Sequence, residues 1–212
     1  MSQASIPDVS LVLAVRTTVR FLLLTHGYKV ELDHTLQSLG NAKILHEKEG
    51  GNWLVIELTL LLLSLSELEA AKSERYVTSI LGSLETSPDL VEAIKETVRM
   101  VNNFDKITSP LTLEAQIVRD AKRLDELGAI GLVRALERNL RQGTCFYQPG
   151  SKSRSTGYEY LYRNLSVLPA GMHTQTARHI ALERETFLRS FLARYVQERN
   201  LQPDAKTNVD DI

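Results

Sequence analysis

From residue 53 to 65 the chain is apolar at every position except Glu57, Thr59 and Ser64. About 13 residues of this kind fall short of the roughly 20 that a bilayer-spanning helix needs. A helix that is apolar nearly all round must be covered on every side. The segment is therefore expected to be the central element of a helical bundle, and the flanking sequence supplies helices to cover it. Leu11, Val12, Val15, Val19, Leu22 and Leu23 keep the i, i+3, i+4 spacing of a helix that ends near Gly27. A second helix is predicted over residues 33–49, stopping at Gly50-Gly51. The apolar helix is predicted over 52–69.

Amphipathic helices are predicted over 73–84 and 87–103, the latter opened by the cap and first-turn proline of Ser87-Pro88-Asp89. Residues 102–110 read as a loop, 111–127 as helix and 128–140 as a further apolar segment. Residues 142–156 form an irregular stretch punctuated by Gly143, Pro149 and Gly150. A closing helix over 174–200 carries Ala177, Ile180, Ala181, Phe187, Leu188, Phe191 and Leu192. No segment alternates like a strand. The expected fold class is all-α, one domain over residues 1–200 with a polar, disordered tail at 201–212.

With 43% hydrophobic residues, 212 positions suffice for a sizeable core. The balance of 25 basic against 26 acidic residues gives no bulk electrostatic reason to expect nucleic acid or an anionic membrane as partner. Cys145 is the lone cysteine, which excludes an internal disulfide framework and a cysteine-based zinc cluster. The opening MSQASIPDVS lacks the basic start of a secretory signal, so the expected location is cytoplasmic.

Residues 114–134, EAQIVRDAKRLDELGAIGLVR, place Asp120 and Asp125 on a helical run that closes at Gly128. A buried helix holds two carboxylates only where a cation, a basic partner or a helix N-terminus stabilises them. His173 and His179 are six residues apart, which does not put them on one helical face. Ser64 has no histidine-acid pair beside it in sequence, and nothing local would lower the Cys145 pKa. Lys152 and Arg154, with Tyr158, Tyr160 and Tyr162, read either as a phosphate or base contact or as a solvated loop before a tyrosine-bearing helix.

The 114–134 block resembles the HD-domain metal-dependent phosphohydrolases, whose last metal-binding aspartate opens a segment of the type D-A-D-R-L-D-x-x-G-A-I-G. Residues 33–51, DHTLQSLGNAKILHEKEGG, and 165–192, LSVLPAGMHTQTARHIALERETFLRSFL, resemble two further blocks of that family in the same order. The resemblance implies a helical bundle of the HD-domain type. It also implies a divalent metal held by a histidine, an adjacent histidine-aspartate pair and a later aspartate, polarising a phosphate and activating water.

Position by position, His34 matches the first ligand and Asp120 the last. The pair belongs at the end of the apolar helix in a context like E-L-A-A-L-L-H-D, where this chain has Leu63 and Ser64. Val30, Gln37 and residues 101–103 replace other family side chains, and Lys122 replaces the second aspartate of D-A-D. If its side chain turned inward, Lys122 would bring a positive charge to the metal position and partner Asp120, as Arg119 or Arg123 could.

The expectation is a degenerate site on an HD-like fold: a pseudoenzyme with no cofactor, binding a protein partner or a small phosphate-containing ligand. A homodimer is compatible with this, and neither nucleic acid nor membrane is expected. The alternative is an active phosphohydrolase of nucleotides or other phosphate esters. It would use Mn, Mg, Ni, Fe or Zn in a rearranged site drawing on Glu57, Glu67 or Asp105. A third reading is a scaffold or oligomerisation module that uses the apolar helix or the tyrosine-bearing segment.

Overall fold

The computed structural model describes residues 8–67, 73–106, 108–148 and 156–200. Among them every regular element is helical: α1 (Asp8–Thr25), α2 (Lys29–Glu49), α3 (Trp53–Leu63), α4 (Ser73–Ser83), α5 (Pro88–Asn102), α6 (Leu113–Leu124), α7 (Gly128–Gln142), α8 (Gly157–Val167) and α9 (Gln175–Asn200), with short 3-10 turns between some of them. The all-α expectation holds. The side chains of Glu67, Ser73 and Asn200, the basic pair Lys152 and Arg154, and the tail at 201–212 lie outside the described residues. The chain resolves into two compact units, Met1–Lys122 and Arg123–Ile212.

In the first unit α3 is the hub, contacted by α1, α2, α4 and α5. Every residue of α3 from Val55 to Leu63 is buried, Leu58 and Leu62 completely. At about 1.5–3 kcal/mol for each fully covered Leu or Ile, this helix is the largest apolar contribution of the unit. α1 supplies Leu11, Val15, Val19 and Leu23 to it, an unbroken i, i+4 ridge. The one charge in α3, Glu57, is 7% exposed and accepts a hydrogen bond from Arg16 Nη2 at 2.6 Å. A carboxylate at that depth needs such a partner.

α3 ends earlier than the apolar pattern predicts. Ser64 Oγ donates to Leu61 O and Ser66 Oγ to Leu63 O, both at 2.6 Å. Hydroxyls that back-bond to helix carbonyls favour leaving the α-helix, and the chain tightens into the 3-10 turn Ser64–Glu67.

The second unit packs α7 against α8 and α9, with α8 also on α9. Phe146, Tyr147, Tyr158, Phe191 and Tyr195 meet mostly edge to face, with ring centroids 5.1–6.3 Å apart. Gly157 is required there because a Cβ would stand 2.5 Å from both Asn139 Oδ1 and Phe146 Cδ2. The tyrosine-bearing helix thus turns Tyr158 into a core rather than offering it to a partner.

Candidate functional site

His34 lies on α2 one turn before Ser38 and two turns before Asn41, so the three share a helical face. Asn41 Nδ2 donates to Ala121 O at 3.2 Å, which fastens that face to α6 beside Asp120. His34 is mostly covered, with Glu31 Oε2 3.7 Å from its Nδ1. Asp120 is fully buried, and neither residue is without a partner. The fold therefore brings the helix of the matched histidine against the helix of the matched aspartate. α6 is held further by Glu114 Oε1, which accepts from Asn52 N at 2.8 Å, and by Arg119, whose guanidinium sits 3.3 Å over the Phe104 ring.

Leu63 is the last residue of α3 and Ser64 its C-cap, and both are buried, at 1% and 3% exposure. Leu63 fills its position with hydrocarbon. The Ser64 hydroxyl is committed to Leu61 O, and Leu62 and Leu65 around it are fully covered.

These side chains do not fit a catalytic divalent metal. Such sites hold about three protein ligands and keep one position open. One imidazole and one carboxylate do not supply them, and the leucine and hydrogen-bonded hydroxyl of Leu63 and Ser64 add no ligand. Among the described residues, no three His, Cys, Asp or Glu side chains gather as a metal-binding group.

Of the candidates for replacement, Glu57 is engaged elsewhere and Asp105 faces outward, while the Glu67 side chain lies outside the described residues. Glu57 is paired with Arg16, and Asp105 is exposed on the 3-10 turn Phe104–Lys106. At the end of α5, Asn103 Nδ2 donates to Arg99 O, so this asparagine caps a helix. Lys122 is exposed, which corrects the idea of an inward charge compensating Asp120. On α6 it falls next to the buried Ala121 and turns to solvent, where a lysine needs no partner.

The second unit corrects the expectation for Asp125. It does not lie on the helix of Asp120: α6 stops at Leu124, and Asp125 sits in the turn before α7. It is fully buried, with Arg134 Nη1 at 3.7 Å. Arg134 Nη2 also reaches Glu126 Oε1 at 3.3 Å, and the Glu126 carboxylate accepts the Tyr160 hydroxyl proton in a close hydrogen bond. Arg138 covers the Tyr160 ring, 4.5 Å from its centroid. Arg184 Nη1 donates to Leu124 O at 2.6 Å. Burial pushes the Arg184 pKa down, and the Asp125 charge opposes that shift.

Gly128 is the residue that lets this happen. It adopts φ +68°, and a Cβ there would meet the Arg184 stem at 3.0 Å. The sequence shows the acids and arginines of this network, but their partners are 8 to 60 residues away and no local pattern pairs them.

Tyr160 is pushed up to about 12, first by burial and then by the Glu126 carboxylate, and Tyr158 to about 12, first by burial. Both shifts favour the neutral phenol in the folded state, so they stabilise the fold below pH 10 and that contribution is lost between pH 10 and 12. Denaturant midpoints measured across this range should fall for the native chain and fall less steeply for Tyr160→Phe. Tyrosinate absorbance rising for all tyrosines with an ordinary midpoint would contradict the shifts.

Cys145 is exposed. His179 is largely exposed beside Glu183, at 3.5 Å, and His173 accepts from Arg178 through its carbonyl oxygen, at 2.8 Å. No helix among the described residues is long and apolar enough to cross a membrane.

No family model matches the chain. Over 185 residues it is 25% identical to the uncharacterized protein YpgQ of Bacillus subtilis, covering 84% of this chain and 88% of that protein. An HD-superfamily hydrolase from Bacillus thuringiensis superposes with TM-score 0.78 at 26% identity, over 92% of this chain and 100% of that one. The crystal structure of Bacillus subtilis YpgQ in complex with ADP superposes with TM-score 0.74 at 23% identity, over 91% and 96% of the two chains.

Proposed function

For a chain with the helical fold of the HD-superfamily hydrolases, we propose that metal-dependent phosphoester hydrolysis has been lost. The protein then acts by binding a small phosphate-containing ligand of the nucleotide class. The observation that carries the first half is the pair Leu63 and Ser64, buried and without a free donor where the family's metal chemistry needs a histidine and an aspartate. Support for the second half is the ADP complex of YpgQ, a protein of the same fold. His34, partly accessible on the helix tied to that of Asp120, fits a polar position kept for recognition.

The reading separates binding from turnover, and one experiment reads both. The protein is titrated with ADP, ATP, dGTP and GDP in a calorimeter with and without Mn2+, and released phosphate is assayed in the same samples. The expected outcome is saturable heat with at least one nucleotide and no phosphate above the buffer rate. Metal-dependent phosphate release that disappears in His34→Ala or Asp120→Ala would overturn it in favour of an active, rearranged hydrolase. The absence of heat with every nucleotide would remove the ligand class.

A further inference from the structure

We propose that the outer face of α1 is the contact surface of a symmetric homodimer, in which α1 packs antiparallel against α1 of a second copy. α1 carries two parallel i, i+4 ridges. The inner one, Leu11, Val15, Val19 and Leu23, is buried in the unit. The outer one, Val9, Leu13, Thr17 and Phe21, is open to solvent, with Val9 81%, Leu13 64% and Phe21 66% exposed, and Leu24 flanks it at 43%. A solvated helix face ordinarily carries Lys and Glu. Between Val9 and Thr25 the only charges are Arg16, already paired with Glu57, and Arg20.

The size of the patch points to a modest but specific contact. Those four side chains show on the order of 400–500 Å2, within the range of the largest patch on a typical monomer and too much for scattered surface residues. That area falls short of the roughly 800 Å2 per partner of a standard interface, so the dimer is expected to dissociate in the micromolar range.

Its geometry points to a second copy rather than an unrelated partner. A two-fold axis at the level of Val15 sets Val9 against Phe21 of the other copy and Leu13 against Thr17, large against small, as i±4 ridges pack into grooves. The same axis brings exposed Asp8, at the start of α1, within reach of exposed Arg20 of the other copy, twice per dimer. The face is therefore complementary to itself in shape and in charge. Neither α3 nor the tyrosine-bearing helix offers such a face, because α3 and Tyr158 are buried.

The test is sedimentation equilibrium of the full chain over a wide dilution series, with helix content checked by circular dichroism. The native protein should move from 23.8 kDa at low concentration to twice that mass at high concentration. The double variant Leu13→Glu, Phe21→Glu should raise the dissociation constant by about 50-fold or more, as removal of central apolar anchors does. Asp8→Arg and Arg20→Asp should each weaken the dimer about fivefold, and the two combined should restore it to within about twofold. The charge swap keeps the test decisive if the apolar variant fails to fold. Monomer at every concentration, a dimer indifferent to the apolar variant, or a charge swap no better than its parents would each overturn the proposal. So would a monomer that instead binds anionic phosphatidylserine vesicles through this face.

Discussion

Replacing Asp125 with alanine is expected to destabilise the protein by about 3 kcal/mol, because breaking a buried ion pair by removing one partner leaves uncompensated charge inside. Asp125 is fully buried, Arg134 stands 3.7 Å from it, and its charge opposes the desolvation of Arg184. Arg184 would lose the interaction that opposes its desolvation, while its bond to Leu124 O would remain. For a chain of this length the thermal midpoint should drop by roughly 6–12 °C. Arg134→Ala should cost less, since Arg134 is partly exposed and Asp125 keeps the field of Arg184. Calorimetric melting of the two variants checks the order. An Asp125→Ala midpoint within a degree of native would mean that the network contributes nothing to stability.

Rebuilding the family's pair by Leu63→His with Ser64→Asp is expected to produce the largest functional change. It would place an imidazole and a carboxylate at the end of α3, which packs against the helix that carries His34. Four protein donors would then satisfy the ligand requirement that the native residues miss. Without metal the double variant should lose about 3 kcal/mol, since a polar pair replaces fully packed Leu63 and a satisfied serine. With Mn2+ at 100 times its dissociation constant, binding to the folded state should return about 2.7 kcal/mol. The signature is thus a metal-dependent rise in melting temperature of several degrees, absent from the native protein and removed by adding His34→Ala. An equal rise in the native chain would show that it already holds the ion.

Much of this molecule was legible from residue order alone. The apolar run at 53–65 marks α3 as the buried hub, and the spacing of Leu11, Val15, Val19 and Leu23 gives α1 its inner face. The match of residues 33–51, 114–134 and 165–192 to a known family predicted the helical fold, and the helices predicted there carry His34 and Asp120. What escaped was set by partners distant in sequence or by competition at single atoms. Periodicity carried the third helix past Ser64, whereas the serine hydroxyls turn it into a 3-10 segment. The same periodicity put Asp125 on a helix, when the turn at 125–127 and the positive φ of Gly128 aim it at Arg134. Lys122 seemed to answer Asp120, and one step along α6 sends it to solvent instead. The clue to the Arg16–Glu57 pair was present but unread, as a lone acid in an apolar helix and a rare base in another.

The central claim is that this HD-type fold no longer holds a catalytic metal. It is tested most directly by counting manganese, nickel, zinc and iron per chain in protein purified without chelator and again after dialysis against Mn2+. The account predicts far less than one metal ion per chain in both preparations. A near-stoichiometric transition metal, lost on mutating His34 or Asp120, would contradict it and mean that the remnant site has recruited other ligands.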